Sequence, residues 1–297
     1  MIDAANAKGI VQEASVSVPL TDLATRLIAG QIPDWSGYEY QQPTLNPFTT
    51  HNLLYDFTLP TAYTGVGSEI KTGKWVLKGM VANVNTTVNQ ANEKGAALVY
   101  RGDYSFGEYA GVGFAGLHGK APNFTTGTNT AAQLFEVDGY YTRGDFTYQG
   151  QVGMGTQKKG AIATDQNGNL QNAHWWGLSG LAGYAVSPRL QALLRADYIH
   201  NTKNGGGLFG YSAQDDRNGL GIDATVDCVT DPTLAACNRG ANRYALSFGM
   251  KYAFNPSTTF KAEYRFDGAS KPVFIDTKDL TFHKSNQLFG ASVVVFF

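Results

Sequence analysis

A two-residue period recurs along this chain in segment after segment, and few folds accommodate it. In residues 260–267, Phe260, Ala262, Tyr264 and Phe266 alternate with Lys261, Glu263, Arg265 and Asp267. Just upstream, Tyr244, Leu246, Phe248, Met250, Tyr252 and Phe254 alternate with Arg243, Ala245, Ser247, Gly249, Lys251 and Ala253. The same pattern runs through residues 75–82, 98–104, 146–154, 176–184 and 190–199. Alternation of this kind marks a strand with two unlike faces. A soluble sandwich would present a polar outer face and a bulky aliphatic inner one. Here the apolar face is rich in Tyr, Phe and Trp near strand ends, and the opposite face mixes charge with Gly, Ala and Ser. That is the division between a lipid-facing wall with aromatic girdles and a wet interior.

Composition supports the same reading. Charged residues make up 16% of the 297 residues, where a soluble domain carries about 25%. Glycine reaches 35 and aromatics 12%. Net charge is −1, which leaves no electrostatic footprint for nucleic acid. No apolar run approaches the length of a membrane-spanning helix, whereas barrel strands need only about ten alternating residues. The expected fold is therefore all-β, a transmembrane antiparallel up-and-down β-barrel occupying 1–297 as one domain, placed in the bacterial outer membrane among its lipids.

Connections alternate between short and long. Short turns are expected near residues 19–22, 71–74, 105–107, 143–144, 187–188 and 255–256, and long polar connections over 32–60, 85–94, 118–131, 157–173, 201–242 and 268–284. Short periplasmic turns and long outer loops are how outer-membrane barrels are built. Thirteen strands are expected: 11–20, 23–31, 61–70, 74–84, 95–104, 108–117, 132–142, 145–155, 174–186, 189–200, 243–254, 257–267 and 285–297. Bacterial single-chain barrels have even strand numbers, so one or three further amino-terminal strands are expected, for a total of 14 or 16. The absence of an export signal at Met1–Asn6 fits the same expectation.

The chain ends with Phe289, Ala291, Val293, Val295 and Phe297 on one face and an aromatic last residue. This resembles the carboxyl-terminal signal read by the barrel-assembly machinery. A second resemblance lies in Gly37-Tyr38-Glu39 and in the run Asn46-Pro47-Phe48-Thr49-Thr50-His51-Asn52-Leu53-Leu54-Tyr55-Asp56-Phe57 that continues to Val66. It is similar to a segment of outer-membrane β-barrel porins with OmpL-like members, with Tyr63 standing where that family usually has His before Thr-Gly-Val. The resemblance covers the whole chain in layout and about thirty residues in motif. It implies an outer-membrane porin and supplies no substrate.

The 32–60 connection is too long for an idle hairpin and too apolar to hang in water. It is expected to fold inward as a constriction, with Tyr38, Phe48, His51, Tyr55 and Asp56 at its centre. Packing over a neighbouring strand or an oligomer interface is the alternative. Facing assignments put Arg26, Lys78, Arg101, Arg195, Arg243, Lys251, Lys261 and Arg265 in the lumen with Glu13, Glu69, Asp103, Glu136, Asp138, Asp197, Glu263 and Asp267. Equal numbers of each sign predict weak charge selectivity, and each charge is expected to pair across neighbouring strands.

No catalytic constellation emerges. The five histidines, His51, His118, His174, His200 and His283, are placed in loops or at strand ends without metal-type spacing or a nucleophile elbow; no cofactor or metal is expected. Cys228 and Cys237 flank an eight-residue stretch of the longest loop, where an oxidising exterior favours a disulfide. The expected activity is passive diffusion of small hydrophilic solutes through a water-filled channel. The rivals are a plugged structural or adhesive barrel binding a partner through its long loops and a barrel-embedded lipid hydrolase. A homo-oligomer is left open.

Overall fold

A computed structural model describes residues 13–20, 22–84, 95–123, 126–161, 164–165, 167–203, 223–227, 230–231 and 240–297. Its strands are β1 (Ala14–Pro19), β2 (Thr25–Pro33), β3 (Ala62–Thr72), β4 (Trp75–Val84), β5 (Ala97–Ser105), β6 (Ala110–Asn123), β7 (Thr128–Arg143), β8 (Phe146–Gln157), β9 (Ala173–Ser187), β10 (Leu190–Lys203), β11 (Arg243–Asn255), β12 (Thr258–Ala269), β13 (Phe274–Ile275), β14 (Phe282–His283) and β15 (Ser285–Val295). One five-residue helix, α1 (Leu53–Phe57), interrupts them. Thirteen strands form a single sheet in sequence order, with β1 and β15 at its edges, and β13 pairs with β14 in a separate hairpin. Every neighbouring pair in the large sheet is antiparallel. The architecture is the expected up-and-down one, and each expected strand overlaps an observed strand.

The period-two faces fall where the sequence places them. Outward-pointing Leu77, Val81, Val137, Val152, Leu178, Leu194 and Leu246 are exposed, an apolar band suited to acyl chains. Aromatic pairs flank it. Trp75 packs on Tyr104 (4.8 Å) and Phe146 on Tyr184 (5.0 Å) beside the short turns. Tyr100 stacks on His118 (5.7 Å) and Trp176 on His200 (5.5 Å) toward the other rim. Amphipathic rings favour such interfacial positions. No described helix is long and apolar enough to cross a membrane, which says nothing of strands.

Three expectations are corrected. Residues 118–131 are not a loop: β6 and β7 continue as a ladder from Lys120↔Ala131 to Asn123↔Thr128. Four residues, 124–127, remain between the two strands. His118 accordingly sits within β6, facing outward. The final connection is also more structured than expected, because it holds the β13–β14 hairpin, with Phe274 buried beside Val273 and Ala241.

The inner face is less uniformly wet than its charges suggest. Ile32, Leu59, Tyr63, Met80, Val84, Val99, Leu117, Leu134 and Trp175 form one buried apolar cluster. Leu193 and Ile199 are likewise buried on β10. These apolar surfaces need a cover, which residues 34–61 provide. Cys228 and Cys237 lie outside the described residues.

Candidate functional site

Residues 34–61 leave the end of β2, cross to the opposite inner wall and return to β3. Gly37 makes the first bend with φ +79°, a conformation that L side chains rarely adopt. Its N–H donates to Glu136 Oε2 at 2.6 Å. Asp34 accepts from the Ser36 N–H and hydroxyl (3.1 and 3.0 Å) and from the Tyr63 hydroxyl. Burial pushes the Asp34 carboxyl up to about 7, against those hydrogen bonds and the opposing charge of Arg101. Arg101 grips Asp138 through both Nη atoms (2.7 and 2.9 Å), reaches Asp103 through Nε (2.8 Å) and donates to the Trp35 carbonyl (2.7 Å). A fork that binds two carboxylates and a carbonyl fixes direction as well as charge.

Farther along, the segment is moored to β10 and β12. The Lys261 ammonium donates to the carbonyls of Pro43 (3.0 Å), Thr44 (3.1 Å) and Asn46. Glu263 Oε2 accepts from the Thr49 N–H (3.0 Å), the Thr49 hydroxyl (2.7 Å) and the Thr50 N–H (2.9 Å). Its Oε1 accepts from the Thr50 hydroxyl at 2.7 Å. Arg265 donates to the His51 carbonyl (2.7 Å) and to Asp267 (2.8 Å), with Asp56 at 4.0 Å.

Arg195 is the hub. Its side chain is fully buried, as are those of Glu39, Asp197 and Glu263 around it. Nη1 donates to Glu39 Oε1 and the Thr50 carbonyl (both 2.9 Å), and Nη2 to the His51 carbonyl (3.0 Å). Asp197 Oδ2 lies 3.3 Å from Nε without hydrogen-bond geometry. The guanidinium also covers the Phe48 ring at 4.6 Å. A relay reaches the same cluster, since the Tyr38 and Ser179 hydroxyls are 2.6 Å apart and Ser179 donates to Asp197 Oδ1 at 2.6 Å. Burying charges is costly unless every one is paired and hydrogen-bonded, a condition this cluster largely meets.

Apolar contacts complete the docking. Phe48 packs against Leu181 and Leu193 over Gly249, where a Cβ would lie 2.6 Å from the ring. Leu53, Leu54 and Phe57 of α1 pack against Ile199 and Ala245. Asn52 caps α1, accepting from the Tyr55 N–H at 2.8 Å, while its own N–H donates to Glu39 Oε2 at 2.7 Å. His51 stacks on Tyr55 at 4.0 Å and meets the Tyr40 carbonyl through Nε2 at 2.9 Å. Tyr55 is itself buried in the larger apolar cluster.

The expected lumen residues thus divide. Arg101, Glu136, Asp138, Arg195, Asp197, Lys261, Glu263 and Arg265 all come together around the segment. Arg243 pairs instead with Asp267 (3.4 Å) and sits over the Phe57 and Phe274 rings. Lys78 meets Glu69 (3.5 Å) and the Trp35 ring (5.8 Å). Lys251 is exposed, level with Lys261 on the next strand. Sequence reasoning missed Glu39, Thr49, Thr50, Asn52, Ser179 and Gln151 as members. Glu39, Thr49, Thr50 and Asn52 lie in the porin-like motif, and Asn52 carried a further local signal, an N-cap residue before Leu-Leu-Tyr. Asp276, Asp279 and His283 bring possible ligand atoms within 4.8 Å of one another, but they sit in an exposed turn. There Thr281 already bonds Asp279 and His283.

With the segment on one wall, a chamber of about 620 Å³ remains against the strands from β1 to β5, with β7 and β8. A sheet rolled around a charged, partly filled interior is the plan of a porin. Residues 3–297 match the family described as "Putative beta-barrel porin-2, OmpL-like". The chain belongs to this porin family. It is an outer-membrane barrel protein, as its two-faced strands require.

Solved structures agree on the fold. OmpT of Vibrio cholerae, as expressed in the outer membrane, superposes on this porin with a TM-score of 0.56 and 13% identity, covering 93% of this chain and 78% of that one. The trimer form of in-vitro folded OmpT gives 0.56 and 14%, covering 92% and 78%. An anion-selective porin from Comamonas acidovorans gives 0.56 and 9%, covering 95% and 77%. Identities this low speak for the fold alone. No match to this porin was found among curated proteins.

Proposed function

We propose that this porin is a passive pore for small hydrophilic solutes whose bore is set by residues 34–61. The observation that carries the reading is the docking of that segment on one inner wall by buried ion pairs, with a polar chamber left open beside it. Solutes would cross by diffusion, with size and charge deciding flux, and no bond would be made or broken. The histidines support a non-enzymatic reading, since His118 and His200 stack on aromatic rings of the outward face. The folded chain in a planar lipid bilayer should give stepwise ion conductance. Silence at every voltage would overturn the reading and favour a plugged barrel.

The same reading assigns lipid contact to the apolar band. Phe289, Val293, Val295 and Phe297, all exposed, are the surface offered to the assembly machinery, and assembly as a homo-oligomer belongs to the proposal. It also keeps a Cys228–Cys237 disulfide in the long external loop, worth about 2–3 kcal/mol in chain entropy. Unreduced protein should then present no titratable thiol.

A further inference from the structure

Equal numbers of lumen cations and carboxylates predict little selectivity, but the two inner walls use their charges differently. On the β10–β12 wall Arg195, Lys261 and Arg265 are spent on the inner segment, whereas Arg243 pairs with Asp267 and Lys251 is exposed. Lys261 is surrounded by the Pro43, Thr44 and Asn46 carbonyls, Arg265 by the His51 carbonyl and Asp267, and Arg195 by its three carboxylates. The chamber left for solutes lies on the other side. Its lining contains Glu13, Glu69, Asp103 and Asp138 against Lys78 and Arg101.

Two further acids line it and are left out of that balance. Burial pushes Asp34 up to about 7, and Glu39 is engaged by Arg195 and the Asn52 N–H. Both chamber cations are already bound to chamber carboxylates, Arg101 to Asp138 and Asp103 and Lys78 to Glu69, while Lys71 (3.6 Å from Glu69) and Arg26 (on the Ser17 hydroxyl) flank the lining. The residues that line the chamber thus carry more carboxylates than cations, between low-dielectric walls that focus their field. At physiological ionic strength the Debye length is about 8 Å, so charges on facing walls act across much of such a space.

We propose that this chamber makes the pore cation-selective and favours small solutes bearing ammonium or guanidinium groups over carboxylate-bearing ones of equal size. The proposal rests on the open-pore reading above. The test is the zero-current potential of the folded chain in a planar bilayer under a tenfold KCl gradient, for the native sequence and for a Glu69→Gln/Asp103→Asn double variant. The native chain should pass K⁺ at least about threefold more readily than Cl⁻, as expected of an acid-lined constriction. The double variant should move the ratio at least halfway toward one. A native potential at zero or of the anion sign, or a ratio unmoved in the variant, would overturn the selectivity and leave the pore standing. A chain that conducts no current at all would overturn the pore and this proposal together.

Discussion

Replacing Arg195 by methionine should release the inner segment from the barrel wall. The change keeps volume and removes the one cation among Glu39, Asp197 and Glu263, whose side chains are no more than 1% exposed. Losing one partner of a buried ionic cluster costs about 3–5 kcal/mol, because the remaining charges are stranded. Here they can escape that cost by letting the segment lift away so that water enters. Bonds to the Thr50 and His51 carbonyls go with the guanidinium, so Arg195→Lys should rescue only in part, having charge without the fork. Limited proteolysis should show cleavage within residues 40–50 appearing in the methionine variant. Heat-dependent migration in detergent should show the barrel still folded. A variant as resistant to cleavage as the native chain would mean that the cluster does not hold the segment.

A larger change should follow from excising residues 37–58 and bridging the gap with a short Gly-Ser linker. Phe48, Leu53, Leu54 and Phe57 are at most 3% exposed, and each buried apolar side chain contributes about 1.5–3 kcal/mol. The excision removes both the groups and what covers their partners. Gly249, Leu193 and Ile199 would face water, and Arg195, Lys261, Glu263 and Arg265 would become a hydrated charged wall. The ladder hydrogen bonds of the sheet do not involve the segment, so the barrel should survive with a lower melting temperature. Its bore should widen, admitting neutral oligosaccharides that the native chain excludes in liposome swelling. An unchanged size limit would place the narrowest point elsewhere.

Much of this fold was legible because lipid imposes its pattern strand by strand. Phe248 and Met250 must be apolar whatever the interior holds, and Glu263 and Arg265 then fall on the other face, so alternation alone divides the strand in two. The β6–β7 hairpin escaped because Gly119, Lys120, Ala121, Pro122 and Asn123 have turn chemistry. Beyond the apolar band nothing obliges a strand to alternate. The site was legible as a list of charges and as an apolar connection, 32–60, expected to fold inward, but not as a set of contacts. Which charges serve the inner segment depends on contacts such as Thr49 to Glu263 and Pro43 to Lys261, more than two hundred residues apart. No local pattern encodes them. Which cations the segment engages was invisible for the same reason, since it follows from where residues 43–51 come to rest.

On the proposed reading, an inner segment docked on one wall sets the bore of an otherwise open barrel. Single-channel recording of the native chain beside the chain lacking residues 37–58 tests it most directly. Both chains should give discrete steps, with those of the shortened chain at least about twofold larger, as removal of a pore constriction requires. Steps of equal size from the two chains would contradict it.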